Sequence, residues 1–202
     1  MTNPLMTIKW PIIIGFAFAA LIAIWIGGTT FNAFALARWL HILSGITWIG
    51  LLYYFNVVQV PALAAAAADK GGPGGAGITK YVAPRALLWF RWGAVATFLT
   101  GIWLLTSIQG RLLDTYTLGL SSGTSGPMTV VMGIGVWLGT IMLFNVWVLI
   151  WPNQKKILGI VPATDEQKAA ARKVAGLASR VNFLLSIPLV MCMVAPSHGL
   201  PF

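Results

Sequence analysis

The run at 127–152, PMTVVMGIGVWLGTIMLFNVWVLIWP, decides the fold class. Its residues 128–151 carry no charged side chain, and prolines stand at both ends, where helices start and stop. A bilayer core about 30 Å thick needs about 20 consecutive apolar residues in helical form. The run meets that length and reads as a transmembrane helix. Four other segments, 10–26, 31–60, 87–108 and 175–196, read the same way. The second is longer than a bilayer requires, so it is expected to tilt or project before Pro61 halts it. Pro188 falls inside the last and is expected to kink it.

The whole composition agrees with that run. Of 202 residues, 58% are hydrophobic and 8% charged, and the mean hydropathy is +0.84. Soluble domains carry about a quarter charged residues, and disorder needs low hydrophobicity, so both classes are excluded. The expectation is an all-α integral membrane protein, a bundle of five transmembrane helices forming a single transmembrane domain over 1–202. The first segment has only Lys9 before it and is too long for a signal-peptide core, so it is read as a retained span. The glycine-rich stretch 69–75 reads as a flexible loop. Thr164 and Gln167 form a capping-box pattern, which predicts a short surface helix leading into the fifth span.

The net charge of +9 would suggest nucleic acid in a soluble protein, but here the basic residues sort by side. Five spans put the N-terminus and the second–third and fourth–fifth connections on one side. Lys9, Lys70, Lys80, Arg85, Lys155, Lys156, Lys168, Arg172, Lys173 and Arg180 lie there, ten of the 13 basic residues. Arg38 and Arg111 lie opposite. The positive-inside rule then sets the N-terminus in the cytoplasm and the C-terminus outside. The partner implied is the lipid bilayer and not nucleic acid.

Polar groups inside a bilayer are expensive and therefore informative. All four acids, Asp69, Asp114, Asp165 and Glu166, fall in connections, which leaves no carboxylate relay or carboxylate-rich metal site within the spans. The single Cys192 and the lack of CxxCH exclude an internal disulfide and a covalent c-type haem. No nucleophile triad or phosphate-cradling loop stands out; Gly133-Ile134-Gly135 lies mid-helix, where it serves close packing.

His41 lies about ten residues into the second span, with Arg38 one turn outward and Ser44, Gly45 and Trp48 inward on its face. Gly45 would leave bare backbone against which a macrocycle ligated by His41 could lie, and Arg38 would pair with a propionate. The alternative is a neutral histidine hydrogen-bonded across helices, with Gly45 serving packing. His198, after the fifth span, falls in the same half of the membrane and is the candidate second axial ligand of a haem b, with Met191 or Met193 as substitutes. Toward the other side, Asn56, Gln59, Arg91, Asn145, Arg180 and Asn182 share one depth on four spans. They suggest a polar pocket for an anion, a quinone carbonyl or a lipid headgroup, or else interhelical hydrogen bonding with snorkelling arginines.

The stretch 38–50, RWLHILSGITWIG, resembles the membrane domain of bacterial urate hydroxylases, the urate oxidase N-terminal domain. The likeness continues in YFNVVQVP at 54–61, in 145–156, and from Ser179-Arg180-Val181-Asn182 through Pro188 to His198. More distantly, the pattern HxxxxxxWxG from His41 is similar to membrane protoporphyrinogen oxidases and copper-resistance D proteins, whose histidine is thought to bind haem. The resemblance implies a short relative, without the additional helices and C-terminal cytochrome c of the longer family members. It would be a haem b-binding oxidoreductase module in electron transport, passing electrons to a separate carrier such as a cytochrome c. A non-catalytic accessory subunit of a larger respiratory or photosynthetic membrane complex is the alternative.

Overall fold

The structure is a computed structural model that describes residues 3–108, 111–123 and 126–201. Two compact units are distinguished, one ending at Ala33 and the other beginning at Phe34. The first contains helix α1 (Lys9–Gly27), apolar after Lys9 and closed by Gly28 at a φ of +77°, a conformation that suits glycine.

The second unit is built from α2 (Ala33–Ala68), α3 (Ile78–Thr106), the short α4 (Arg111–Tyr116), α5 (Pro127–Ile157) and α6 (Asp165–His198). With α1, four of these make five helices long and apolar enough to cross a membrane, and no strand occurs among the described residues. The protein is a multi-pass membrane protein by that measure. Helices α2, α3, α5 and α6 contact one another in a ring. Phe55 meets Phe90 edge-on between α2 and α3, and Trp92 meets Trp147 between α3 and α5. Asn145 bonds Asn182 between α5 and α6, and Tyr53 packs on Phe183 between α2 and α6. Trp48, Leu52, Phe55, Phe90, Met142, Val146 and Leu189 fill the centre. Ile42, Ile46, Leu99, Ile134, Leu184 and Ile187 are exposed on the outer faces, the arrangement a helix bundle takes in a hydrocarbon solvent.

The expected spans all exist, but their ends differ. Pro61 and Pro152 do not end their helices; α2 continues to Ala68 and α5 to Ile157. The reason is local. The N–H of Val60 bonds five residues back to Phe55, that of Ala83 to Ile78, and that of Trp151 to Val146. These bonds close three wide π turns, Tyr54–Gln59, Ile78–Val82 and Asn145–Ile150, and each is followed by a proline: Pro61, Pro84 and Pro152. A proline supplies no N–H, and its ring strikes the carbonyl four residues back. A bonding register already slipped by one residue widens the turn there, so the helix passes through. Helix α3 begins at Ile78, well before 87, and α6 runs without a break from Asp165, absorbing the expected surface helix. Hydropathy marks the hydrocarbon slab, whereas backbone bonding carries a helix on into the interface. The Thr164–Gln167 capping box is present, with bonds of 2.9 and 3.3 Å.

The segment after α3 was not anticipated. Residues 111–123 fold against α5: Tyr116 Oη lies 3.1 Å from Thr140 Oγ1, and Trp137 donates its indole N–H to the Tyr116 carbonyl at 3.0 Å. Gly133 makes this contact, since a Cβ there would come within 2.5 Å of the Thr115 carbonyl oxygen and of Leu118 Cδ2. Gly135 faces α6, where a Cβ would lie 2.9 Å from Cys192 Cβ. Close packing is therefore what both glycines serve.

Gly133→Ala should lower the detergent-solubilised thermal midpoint, at a cost of about 1–3 kcal/mol from overpacking against backbone. Gly176→Ala on α6 is the matched control: nothing lies within 4 Å of its Cβ position, so the variant should be neutral or slightly more stable. Equal effects at both positions would contradict the packing assigned to Gly133.

Candidate functional site: an imidazole held on a helix carbonyl

Helices α2 and α3 approach each other along a line of small residues on α3, Gly93, Thr97 and Gly101, spaced one turn apart. A Cβ on Gly93 would lie 3.4 Å from the Trp48 main-chain nitrogen. A Cβ on Gly45 would lie 3.8 Å from Thr97 Cγ2, and one on Gly101 would lie 3.1 Å from His41 Cε1. Small residues at i and i+4 let transmembrane backbones come this close.

The approach puts His41 onto the main chain of α3. Its Nδ1 is 2.8 Å from the Thr97 carbonyl oxygen and 3.3 Å from Thr100 Oγ1. A carbonyl oxygen only accepts, so Nδ1 carries the proton. The neutral ring then presents the Nε2 lone pair, and Nε2 has no hydrogen-bond partner among the described residues. A helical carbonyl is normally screened by the side chain four residues on. Here that residue is Gly101, and its missing side chain is what admits the imidazole. Gly45, expected beside the ring, is instead at the Thr97 contact. The role of Gly101 was missed, although the Gly93-Thr97-Gly101 spacing was available in the sequence.

The other expected ligands are placed as follows. Arg38 is exposed and stacks over Phe34 of its own helix, 4.7 Å from the ring centre. His198 is the exposed last residue of α6. No hydrogen bond joins it to His41 among the described residues. Asn56 bonds Ser179 Oγ at 3.0 Å, and Tyr53 lies 3.5 Å from Ser186 Oγ. Both contacts tie α2 to α6 at the end of the bundle away from His41. Among the described residues no three of His, Cys, Asp or Glu come together, so the donor on offer to a metal is a lone imidazole.

The polar set at the other end does not form a single hydrogen-bonded group. Asn145 Nδ2 donates to Asn182 Oδ1 at 2.8 Å, and Asn182 Nδ2 donates to the Met142 carbonyl at 3.0 Å, both buried. Asn56 ties α2 to α6 by donating to the Leu52 carbonyl and Ser179. Arg91 takes no part in either; its guanidinium lies 3.7 Å over the Trp151 ring. Arg180 is exposed and Gln59 is buried with its Oε1 unbonded. The expectation of one shared pocket rested on depth alone. Facing directions around each helix separate its members.

Residues 125–202 match the family described as Urate oxidase N-terminal, and over those residues the chain is similar to that family. The matched part holds α5 and α6 with Asn145, Asn182 and His198, and His41 lies outside it. No curated protein and no solved structure matches the chain.

Asn145→Ala and Asn182→Ala should each destabilise the bundle, and their double mutant should be non-additive by roughly 0.5–3 kcal/mol, as for partners in one network. Arg91→Ala combined with Asn182→Ala should be additive, because the two share no bond. Thermal-midpoint cycles in detergent read both.

Proposed function

We propose that this urate-hydroxylase-like membrane domain binds one haem b through His41 and passes electrons to a separate carrier, such as a cytochrome c, at the outer face of a bacterial inner membrane. The observation that carries the reading is the Nδ1–H bond of His41 to the Thr97 carbonyl. Metal-ligating histidines typically donate their second nitrogen to a carbonyl or carboxylate, which fixes the tautomer and raises the basicity of the ligating nitrogen. The donor set therefore fits an axial ligand. Haem b, when bound, supplies a one-electron iron couple tuned by its axial ligands and surroundings.

The chain's own residues would do the rest. Thr97 and Gly101 hold the imidazole plane in a fixed orientation against α3. His198, or in its place Met191 or Met193, would supply a second ligand to the iron. Arg38, one turn outward on α2, would meet a propionate at the interface. The orientation follows the charge distribution, with ten of 13 basic residues on the N-terminal side and the haem half facing the periplasm.

The same His41–Thr97 bond would also serve as a plain interhelical tie in a non-catalytic accessory subunit, and a spectrum separates the two readings. Protein purified with haem available should show a b-type band on dithionite reduction. His41→Ala should abolish it, Gly101→Leu should weaken it by pushing the imidazole off the Thr97 carbonyl, and His198→Ala should change the spin state without losing the haem. Wild-type protein without a Soret band would overturn the redox reading and favour the accessory subunit.

For orientation, alkaline phosphatase fused after Phe202 should be active and a fusion within residues 71–75 silent; the reverse pattern would invert the assignment.

A further inference from the structure

Trp151, where α5 leaves its π turn, is approached by two cations from two helices. The Arg91 guanidinium carbon of α3 stands 3.7 Å over its ring centre and Lys155 Nζ, one turn along α5, stands 5.9 Å from it. The two charges therefore lie within 9.6 Å of each other. Stacking of this kind occupies one face of a guanidinium and leaves its N–H edge free to bond an anion.

No carboxylate pairs with either cation among the described residues. The chain's four carboxylates are engaged or placed elsewhere. Asp69 accepts from the Gly71 N–H, Asp114 from the hydroxyls of Ser121 and Ser122, and Asp165 pairs with Lys168, while Glu166 stands in the first turn of α6. Neither Arg91 nor Lys155 has an ion pair or a hydrogen-bond acceptor among the described residues. Arg91 is half-buried, one turn into the apolar stretch that begins at 87 within α3, where an uncompensated charge is costly.

Beside these cations, Trp92 and Leu88 on α3 and Val148 and Phe144 on α5 are exposed apolar side chains. A charged headgroup site continuous with an apolar outer face is the shape of a lipid, with a phosphate at one end and acyl chains along the helices.

We propose that Arg91, Trp151 and Lys155 form a binding site for the phosphodiester of an anionic phospholipid, whose acyl chains lie along the outer face of α3 and α5. The Arg91 N–H edge bonds the phosphate, the Trp151 ring holds the guanidinium flat, and Lys155 adds a second charge from a flexible stem. This site is independent of the haem reading and lies at the opposite end of the bundle from His41.

The test is native mass spectrometry of the detergent-purified full chain, titrated with phosphatidylglycerol or phosphatidylcholine of the same acyl chains. One phosphatidylglycerol should be retained in preference to phosphatidylcholine. Arg91→Gln should weaken that binding about tenfold, as for a hydrogen bond to a charged group, and Lys155→Gln by less. Arg85→Gln removes a nearby exposed cation that bonds its own helix at the Tyr81 carbonyl, and should leave binding unchanged. If Arg91→Gln does not fold, Lys155→Gln and Trp151→Leu carry the test, each predicted to reduce binding. Equal retention of the two lipids, or an equal loss with Arg85→Gln, would overturn the site. Complete displacement of the lipid by millimolar inorganic phosphate would show a free-anion site and overturn the lipid assignment.

Discussion

A main-chain carbonyl or amide left without a partner in hydrocarbon costs several kcal/mol, and no water is present to satisfy it. The four-helix ring is one set of answers to that constraint. It accounts for the helices themselves, and also for their departures from regularity. Where Pro61, Pro84 and Pro152 would leave a carbonyl unpaired, the preceding turn widens and the bonds re-form one residue further along. All three prolines lie toward the basic end of the bundle, so the irregular backbone is concentrated there.

The same constraint explains the buried polar side chains. Asn182 is fully buried, but its oxygen and nitrogen are both used, by Asn145 and by the Met142 carbonyl. His41 relieves its own desolvation on the Thr97 carbonyl, an acceptor exposed only because Gly101 has no side chain. The Asn145–Asn182, Asn182–Met142 and His41–Thr97 bonds each join two particular helices, so satisfaction of these polar groups also fixes which helices are neighbours. The exceptions are the buried nitrogens of Trp48 and Trp147 and the oxygen of Gln59, which are left unbonded by the protein.

Satisfaction of polar groups and the proposed function meet at His41. A structural histidine and a metal ligand share the requirement that one nitrogen be anchored, and they differ only in what the other nitrogen meets. The anchor here leaves Nε2 uncommitted. At the opposite end the chain leaves two cations on Trp151 with no carboxylate of its own. The bundle thus has an uncommitted donor at one end and uncompensated charge at the other.

The sequence by itself determined the number and nature of the spans, because hydropathy over about 20 residues measures a transfer free energy that needs no knowledge of neighbours. It also determined the Thr164–Gln167 cap, which is closed within four residues. The polar residues were legible as a set, since each is conspicuous in an apolar helix, and His41 stood out for that reason. Their partners were not. Whether Arg91 faces Asn145 or Trp151, and whether Gly45 or Gly101 lies beside the imidazole, depends on rotation of each helix about its axis. That rotation is set by packing between helices distant in the chain. The passage of α2 and α5 through their prolines was hidden as well, because whether a proline ends a helix depends on the bonding register of the turn before it. Only the tertiary structure decided these.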